Sequence, residues 1–193
     1  MASGNAGKLQ EMARLLSGLD IEVVPQSGLG VSDVEETGAT FAENSLLKAR
    51  HAMEATGLPA IADDSGLAVD ALGGQPGVFS ARYSDPGATD ARNIDKLLGE
   101  LKDIPDARRS AAFHCVATYV APGLDQPIVA QGIWRGSILQ ARQGDGGFGY
   151  DPVFLDPASG QSAAELTAAE KNARSHRGKA LRELTALLEQ HYR

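Results

Sequence analysis

The sequence has only one cysteine, Cys115, so no disulfide can form within the chain. At 193 residues it has the length of one large domain or two closely packed lobes, and can bury a core without covalent staples. Long apolar runs are also missing: no stretch approaches the roughly 18 residues of a membrane span. Positive charge is short, with 18 Lys and Arg against 25 Asp and Glu for a formal charge of -7. That balance excludes a general binder of nucleic-acid polymers, which needs many Lys and Arg contacts to phosphate. The N-terminus has neither a basic region nor an apolar segment of secretory type, so a cytoplasmic location is expected. No internal repeat, low-complexity tract or linker divides the sequence, which predicts a single domain over residues 1–193.

What is present is ordinary for a globular protein: 42% hydrophobic and 22% charged residues. Leu9, Met12, Ala13 and Leu16 recur at helical spacing behind Asn5, predicting a helix from Gly7 to Leu16. Ile21 to Val24 reads as a short strand ended by Pro25, followed by an acidic, glycine-bearing connection from Gln26 to Gly38. Thr40-Phe41-Ala42-Glu43 has capping-box spacing and predicts a helix to about Thr56, stopped by Gly57 and Pro59. Pro59 to Ala62 reads as a short strand with Asp63-Asp64-Ser65-Gly66 at its end and Leu67 to Val69 beyond. Ala71 to Gly87 is expected to be a structured loop, Asp90 to Leu101 a helix, and Ala111 to Val120 a strand that contains Cys115. Pro127 to Leu139 supplies one or two further strands and Val153 to Leu155 another. Thr167 and Glu170 form a second capping box ahead of helical sequence to about Gln190. Helices flank strands without strict alternation, which predicts a mixed α/β or α+β fold with a central mixed sheet.

Several segments carry chemistry. Ser3-Gly4-Asn5-Ala6-Gly7-Lys8 puts small residues and a lysine at a helix start, where free amides favour an anion; alone, it reads more readily as a helix start with a surface lysine. It is not a P-loop, since the glycines are too close and Leu9 follows the lysine. Asp63 and Asp64 are adjacent, so on extended backbone they point to opposite faces and only one serves a given site; a solvated turn is the plain alternative. A functional carboxylate there would bind Mg2+ through oxygen. Glu35-Glu36-Thr37-Gly38 and Lys48 are weak signals by themselves. Phe148-Gly149-Tyr150-Asp151-Pro152 combines aromatic faces with a carboxylate in a constrained turn, able to stack a base or simply to anchor a turn on a buried Phe. Lys171, His176 and Arg177 cannot share one face of a continuous helix, so a break is expected, with Ser175 capping a new helix.

Taken together and in this order, these segments resemble the inosine triphosphate pyrophosphatase family, the XTP/dITP diphosphatases. The resemblance spans Ser3 to Lys8, Glu35 to Gly38, Phe41 to Asn44, Ile61 to Leu67, Gly73 to Tyr83, Phe148 to Pro152 and Ser175 to Gly178. It implies a long central mixed sheet flanked by helices, two lobes enclosing a nucleotide cleft, and a homodimer. It implies hydrolysis of ITP, dITP or XTP to the monophosphate and pyrophosphate with Mg2+. By position, Asp64, Lys8 and Lys48 resemble the catalytic residues, and Asp64 with Glu36 or Glu35 the metal ligands. Ser3, Gly4, Asn5, Ala6, Gly7, Lys8, Ser65, Phe148, Gly149, Tyr150, Asp151, Lys171, His176 and Arg177 resemble the substrate-binding set. One departure is that only Met1 and Ala2 precede the Ser3 loop where the family has a short apolar strand, so weaker anchoring of that loop is expected.

Two other functions fit the same residues. A pyrophosphatase acting on modified pyrimidine triphosphates would separate in a substrate panel, and a nucleotide-binding module would bind ITP without releasing pyrophosphate.

Overall fold

Residues 22–192 are described by the structure, a computed structural model. The Ser3 to Lys8 loop and the helix expected from Gly7 to Leu16 lie outside these residues, as does Ile21. Glu22, Val23 and Val24 form no strand; Val23 packs instead against an apolar cluster, and the chain enters a 3-10 turn at Gln26–Leu29 directly after Pro25.

Thr40 starts α1 (Phe41–Thr56) through the expected capping box. Its Oγ1 accepts from Glu43 N at 3.1 Å, and Glu43 Oε2 accepts from Thr40 N at 3.0 Å, satisfying amides that a helix start leaves orphaned. Gly57, at φ 69°, ends the helix in the left-handed region. The next element corrects the sequence reading. β1 (Ala60–Val69) is one continuous strand of 10 residues, so Asp63 and Asp64 lie inside it, not at its end. Pairing within the sheet overrides the turn preference of Asp-Asp-Ser-Gly.

Further along lie α2 (Asp90–Glu100), β2 (Ser110–Val120), β3 (Ile128–Ile138), β4 (Phe154–Asp156), β5 (Gln161–Ser162), α3 (Ala168–Arg174) and α4 (His176–Tyr192). The mixed α/β class holds, with helices on a five-stranded sheet in chain order β1-β2-β3-β4-β5. Ser137 pairs with Leu155 and Leu155 with Ser162, both antiparallel. Gln75–Pro76 and Asp85–Pro86 are cis, within the loop read as structured, which contains 3-10 turns at Asp70–Leu72 and Gly77–Arg82.

The described residues group into two compact units, whose boundaries fall inside β1, β2 and β3 and between Ser175 and His176. The first holds residues 22–64, 115–132 and 176–192. Its core joins Ile61, Cys115, Ala117 and Tyr119 to Ala180, Leu181, Leu184 and Leu188, with Ala49, Ala52, Ala60, Ala62 and Val120 as a second cluster. Ser45 Oγ bridges α1 to the strands, donating to Ala62 O at 3.0 Å and to Thr118 Oγ1 at 2.8 Å. Gly132 lets α4 approach β3, because a Cβ there would stand 2.7 Å from Ala180 N and against His176 O. The second unit holds residues 65–114 and 133–175, with Phe113, Trp134 and Phe154 ring to ring at its centre.

Candidate active site

Helical spacing brings Asn44 and Lys48 to one face of α1, four residues apart. Both meet Asp64 of β1: Asn44 Nδ2 donates to Asp64 Oδ2 at 3.2 Å and Lys48 Nζ reaches Asp64 Oδ1 at 3.2 Å. Lys48 Nζ also pairs with Glu36 Oε1 at 2.6 Å. Gly38 fixes the loop that carries Glu36. Its amide donates to Asn44 Oδ1 at 2.7 Å, and a Cβ would sit 2.6 Å from that same oxygen. Of the two glutamates read from the sequence, Glu36 joins this cluster and Glu35 is exposed.

Asp64 and Glu36 both lie within ion-pair distance of the Lys48 ammonium. Burial pushes the Asp64 carboxyl above its ordinary value, Lys48 opposes that, and the charge of Glu36 adds to it. Burial disfavours the Lys48 ammonium, but Asp64 and Glu36 outweigh it, so its pKa also rises. Two carboxylates side by side offer the oxygen ligands that a hard cation takes. Among the described residues no group of three or more His, Cys, Asp or Glu forms a metal cage.

Asp63 points away from Asp64, as neighbouring side chains on a strand must. It is fully buried, 3.3 Å from Arg177 Nε and 3.9 Å from Cys115 Sγ. Arg177 and His176 open α4 and are both buried. The helix break expected before them is present: Ser175, on extended backbone, ends α3, and α4 starts at the next residue.

In the second unit, Asp151 accepts from Phe148 N at 2.8 Å and is paired with Lys171. The Lys171 ammonium stands 4.8 Å from the Phe148 ring centre. Gly147, at φ 74°, makes this turn possible, since a Cβ would lie 2.9 Å from Asp151 Cγ. Phe148 is 48% exposed, so the anchoring buried Phe considered from sequence is absent; the buried aromatic is Tyr150. The loop thus presents an exposed aromatic face backed by a cation, with a buried carboxylate holding the turn. Ser65 follows Asp64 in β1 and is half-buried.

The sequence reading missed Asn44 as a site residue, though it quoted the segment containing it. The available signal was its position four residues before Lys48.

The chain is similar to known proteins over nearly its full length. A dITP/XTP pyrophosphatase of Salmonella paratyphi A is 58% identical over 94% of this chain and 93% of its own length. One of Escherichia coli K12 is 56% identical over the same shares. A solved HAM1 protein from Coxiella burnetii superposes with a TM-score of 0.92 at 49% identity, covering 97% of this chain and 96% of that one. The Mycobacterium abscessus nucleoside-triphosphatase, also named a dITP/XTP pyrophosphatase, gives a TM-score of 0.78 at 47% identity, with 96% of each chain covered. The Ham1 family model matches residues 1–187, and with relatives this similar over nearly the full length, the chain belongs to the Ham1 family.

Proposed function

We propose that this chain is a dITP/XTP pyrophosphatase, hydrolysing ITP, dITP and XTP to the nucleoside monophosphate and pyrophosphate and so clearing deaminated purines from the nucleotide pool. The observation that carries the reading is the cluster in which the Asp64 and Glu36 carboxylates both lie within ion-pair distance of the Lys48 ammonium. The names borne by the similar proteins of Salmonella and Escherichia coli support the substrate class.

In this reading water attacks the α-phosphorus, the bond to the bridging oxygen breaks, and pyrophosphate leaves. Asp64 takes the proton of that water, a task helped by a carboxyl whose pKa is raised. Lys48, and Lys8 from the Ser3 to Lys8 loop, neutralise the polyphosphate. Asn44 holds the Asp64 carboxylate in orientation through its 3.2 Å contact. Asp64 and Glu36 would hold Mg2+, which supplies charge neutralisation at the phosphates. Phe148 stacks the purine, with Gly149, Tyr150, Asp151, Lys171 and Ser65 completing the binding set. His176 and Arg177 donate hydrogen bonds to the six-keto oxygen, where adenine presents a donor instead. The reading includes a single domain acting as a cytoplasmic homodimer.

Pyrophosphate release across dITP, XTP, GTP, ATP and dUTP, with and without Mg2+, tests it. The expected result is fast, Mg2+-dependent release from dITP and XTP. Preference for dUTP would transfer the chain to pyrimidine substrates, and dITP binding without release would make it a binding module.

A further inference from the structure

The Phe148 to Asp151 loop has internal contacts that shape it, namely Asp151 with Phe148 N and with Lys171. Two further contacts fasten it to the rest of its unit. Gly149 N donates to Asp90 Oδ2 at 2.7 Å, and Tyr150 OH donates to Ser80 O at 2.8 Å. Burial, with Tyr83, Asp90 and Glu100 nearby, pushes the Tyr150 phenol above its ordinary pKa and keeps it a donor.

Both anchor points belong to one polar assembly. Asp90 is the first residue of α2, whose N-cap Thr89 accepts from Arg92 N. Asn93, one turn on and buried, ties α2 to the Gly77–Arg82 turn. Its Nδ2 donates to Ser80 O at 3.3 Å and to Ala81 O at 3.1 Å, and its Oδ1 accepts from Ser84 N at 2.8 Å and Ser84 Oγ at 2.7 Å. Leu67 N of β1 donates to Ser80 Oγ at 2.9 Å. The Ser80 carbonyl therefore accepts from Tyr150 and from Asn93 together, and α2, the turn and β1 form one mount for the loop.

We infer that Asp90 is a positioning residue for the base-stacking loop, its carboxylate holding the Gly149 amide and thereby setting the Phe148 ring beside it. The inference rests on the reading of Phe148 as the stacking ring. Tyr150 provides the buried attachment on one side of Gly149, and Asp151 N donates to Phe148 O at 3.3 Å, so the Asp90 bond is a second hold on the Phe148-Gly149 peptide, on its amide side. Glycine at this position, with φ 59°, does not restrict that peptide itself. Because Asp90 is exposed, truncating it opens no cavity.

The test compares Asp90→Ala and Asp90→Asn with the unmodified protein by amide exchange and by dITP kinetics. Asp90→Ala is expected to speed exchange at Gly149 about tenfold and to raise KM for dITP roughly five- to tenfold, with kcat within about twofold, as fits loss of one charge-assisted hydrogen bond. Asp90→Asn keeps an acceptor oxygen and should recover most of both effects. A role confined to the α2 helix start would lower Tm and leave KM unmoved. Unchanged exchange at Gly149, or faster exchange with unchanged KM, overturns the inference. If the unmodified protein releases no pyrophosphate from any substrate, the functional reading falls, while the exchange comparison still decides whether Asp90 anchors the loop.

Discussion

Asp64 is held in a balance that suits a reacting group. Its carboxylate takes one hydrogen bond from an amide and one from an ammonium shared with Glu36, too little to offset its burial fully. Replacing it with Asn keeps the shape and removes the charge. Asp64→Asn is expected to reduce turnover by about 100- to 10,000-fold at saturating Mg2+. The protein should still fold, because the substitution removes a desolvated charge and leaves Lys48 its pair with Glu36. Circular dichroism and pyrophosphate release on the same sample check both halves. Activity near that of the unmodified protein would remove Asp64 from the mechanism. Asp63, its neighbour, is bound into a different setting with Arg177 and Cys115, so the two aspartates are not interchangeable.

At the scale of elements, α4 depends on Gly132. The strand and helix approach so closely there that a methyl group would collide with backbone atoms of His176 and Ala180, neither of which can turn aside as a side chain would. Gly132→Ala is expected to lower the urea midpoint by the equivalent of about 1–3 kcal/mol, the range for overpacking. It should also weaken dITP turnover, since the displaced helix start carries His176 and Arg177. Unchanged stability would mean that α4 can shift at no cost. Neither the collision nor its partners can be seen in the sequence, where Gly132 is only a glycine in a strand. The capping boxes at Thr40 and Thr167, by contrast, were legible because both partners lie within one turn. The break at Ser175 was legible because Lys171, His176 and Arg177 cannot share one face of a continuous helix. Asp63 and Asp64 were placed at a strand end because Asp-Asp-Ser-Gly has turn composition, whereas the sheet makes it strand interior. Asn44, Asp90 and Ser80 escaped notice for another reason: their partners lie 20, 59 and 70 residues away, and only the folded chain brings them together. The order of segments was still enough to reveal the family.

For the molecule as a whole, 25 acidic residues make acid stability a question of which carboxylates the fold favours as anions. Asp156 is one such carboxylate. It is 2% exposed, and it joins β3, β4 and α3: Trp134 Nε1 donates to Oδ1 at 3.0 Å, while Ser159 Oγ at 2.8 Å, Ser159 N at 3.0 Å and Arg174 Nη1 at 3.0 Å meet Oδ2. Burial works against its charge, but these donors outweigh it, and the carboxyl titrates below its ordinary value of 3.8. The folded protein thus favours the anion more than the unfolded chain does. The stabilisation is complete above the unfolded value of about 3.9 and is lost as pH falls through the lower folded value. Asp156→Asn retains one acceptor oxygen but no charge, so it should be less stable than the parent at pH 6 and lose less between pH 4 and pH 2. Urea midpoints measured across that range should converge toward the acid end as the parent is protonated at the same position. If the two curves run parallel down to pH 2, Asp156 is not a source of the acid sensitivity, and its four donors stabilise the neutral acid as well as the anion.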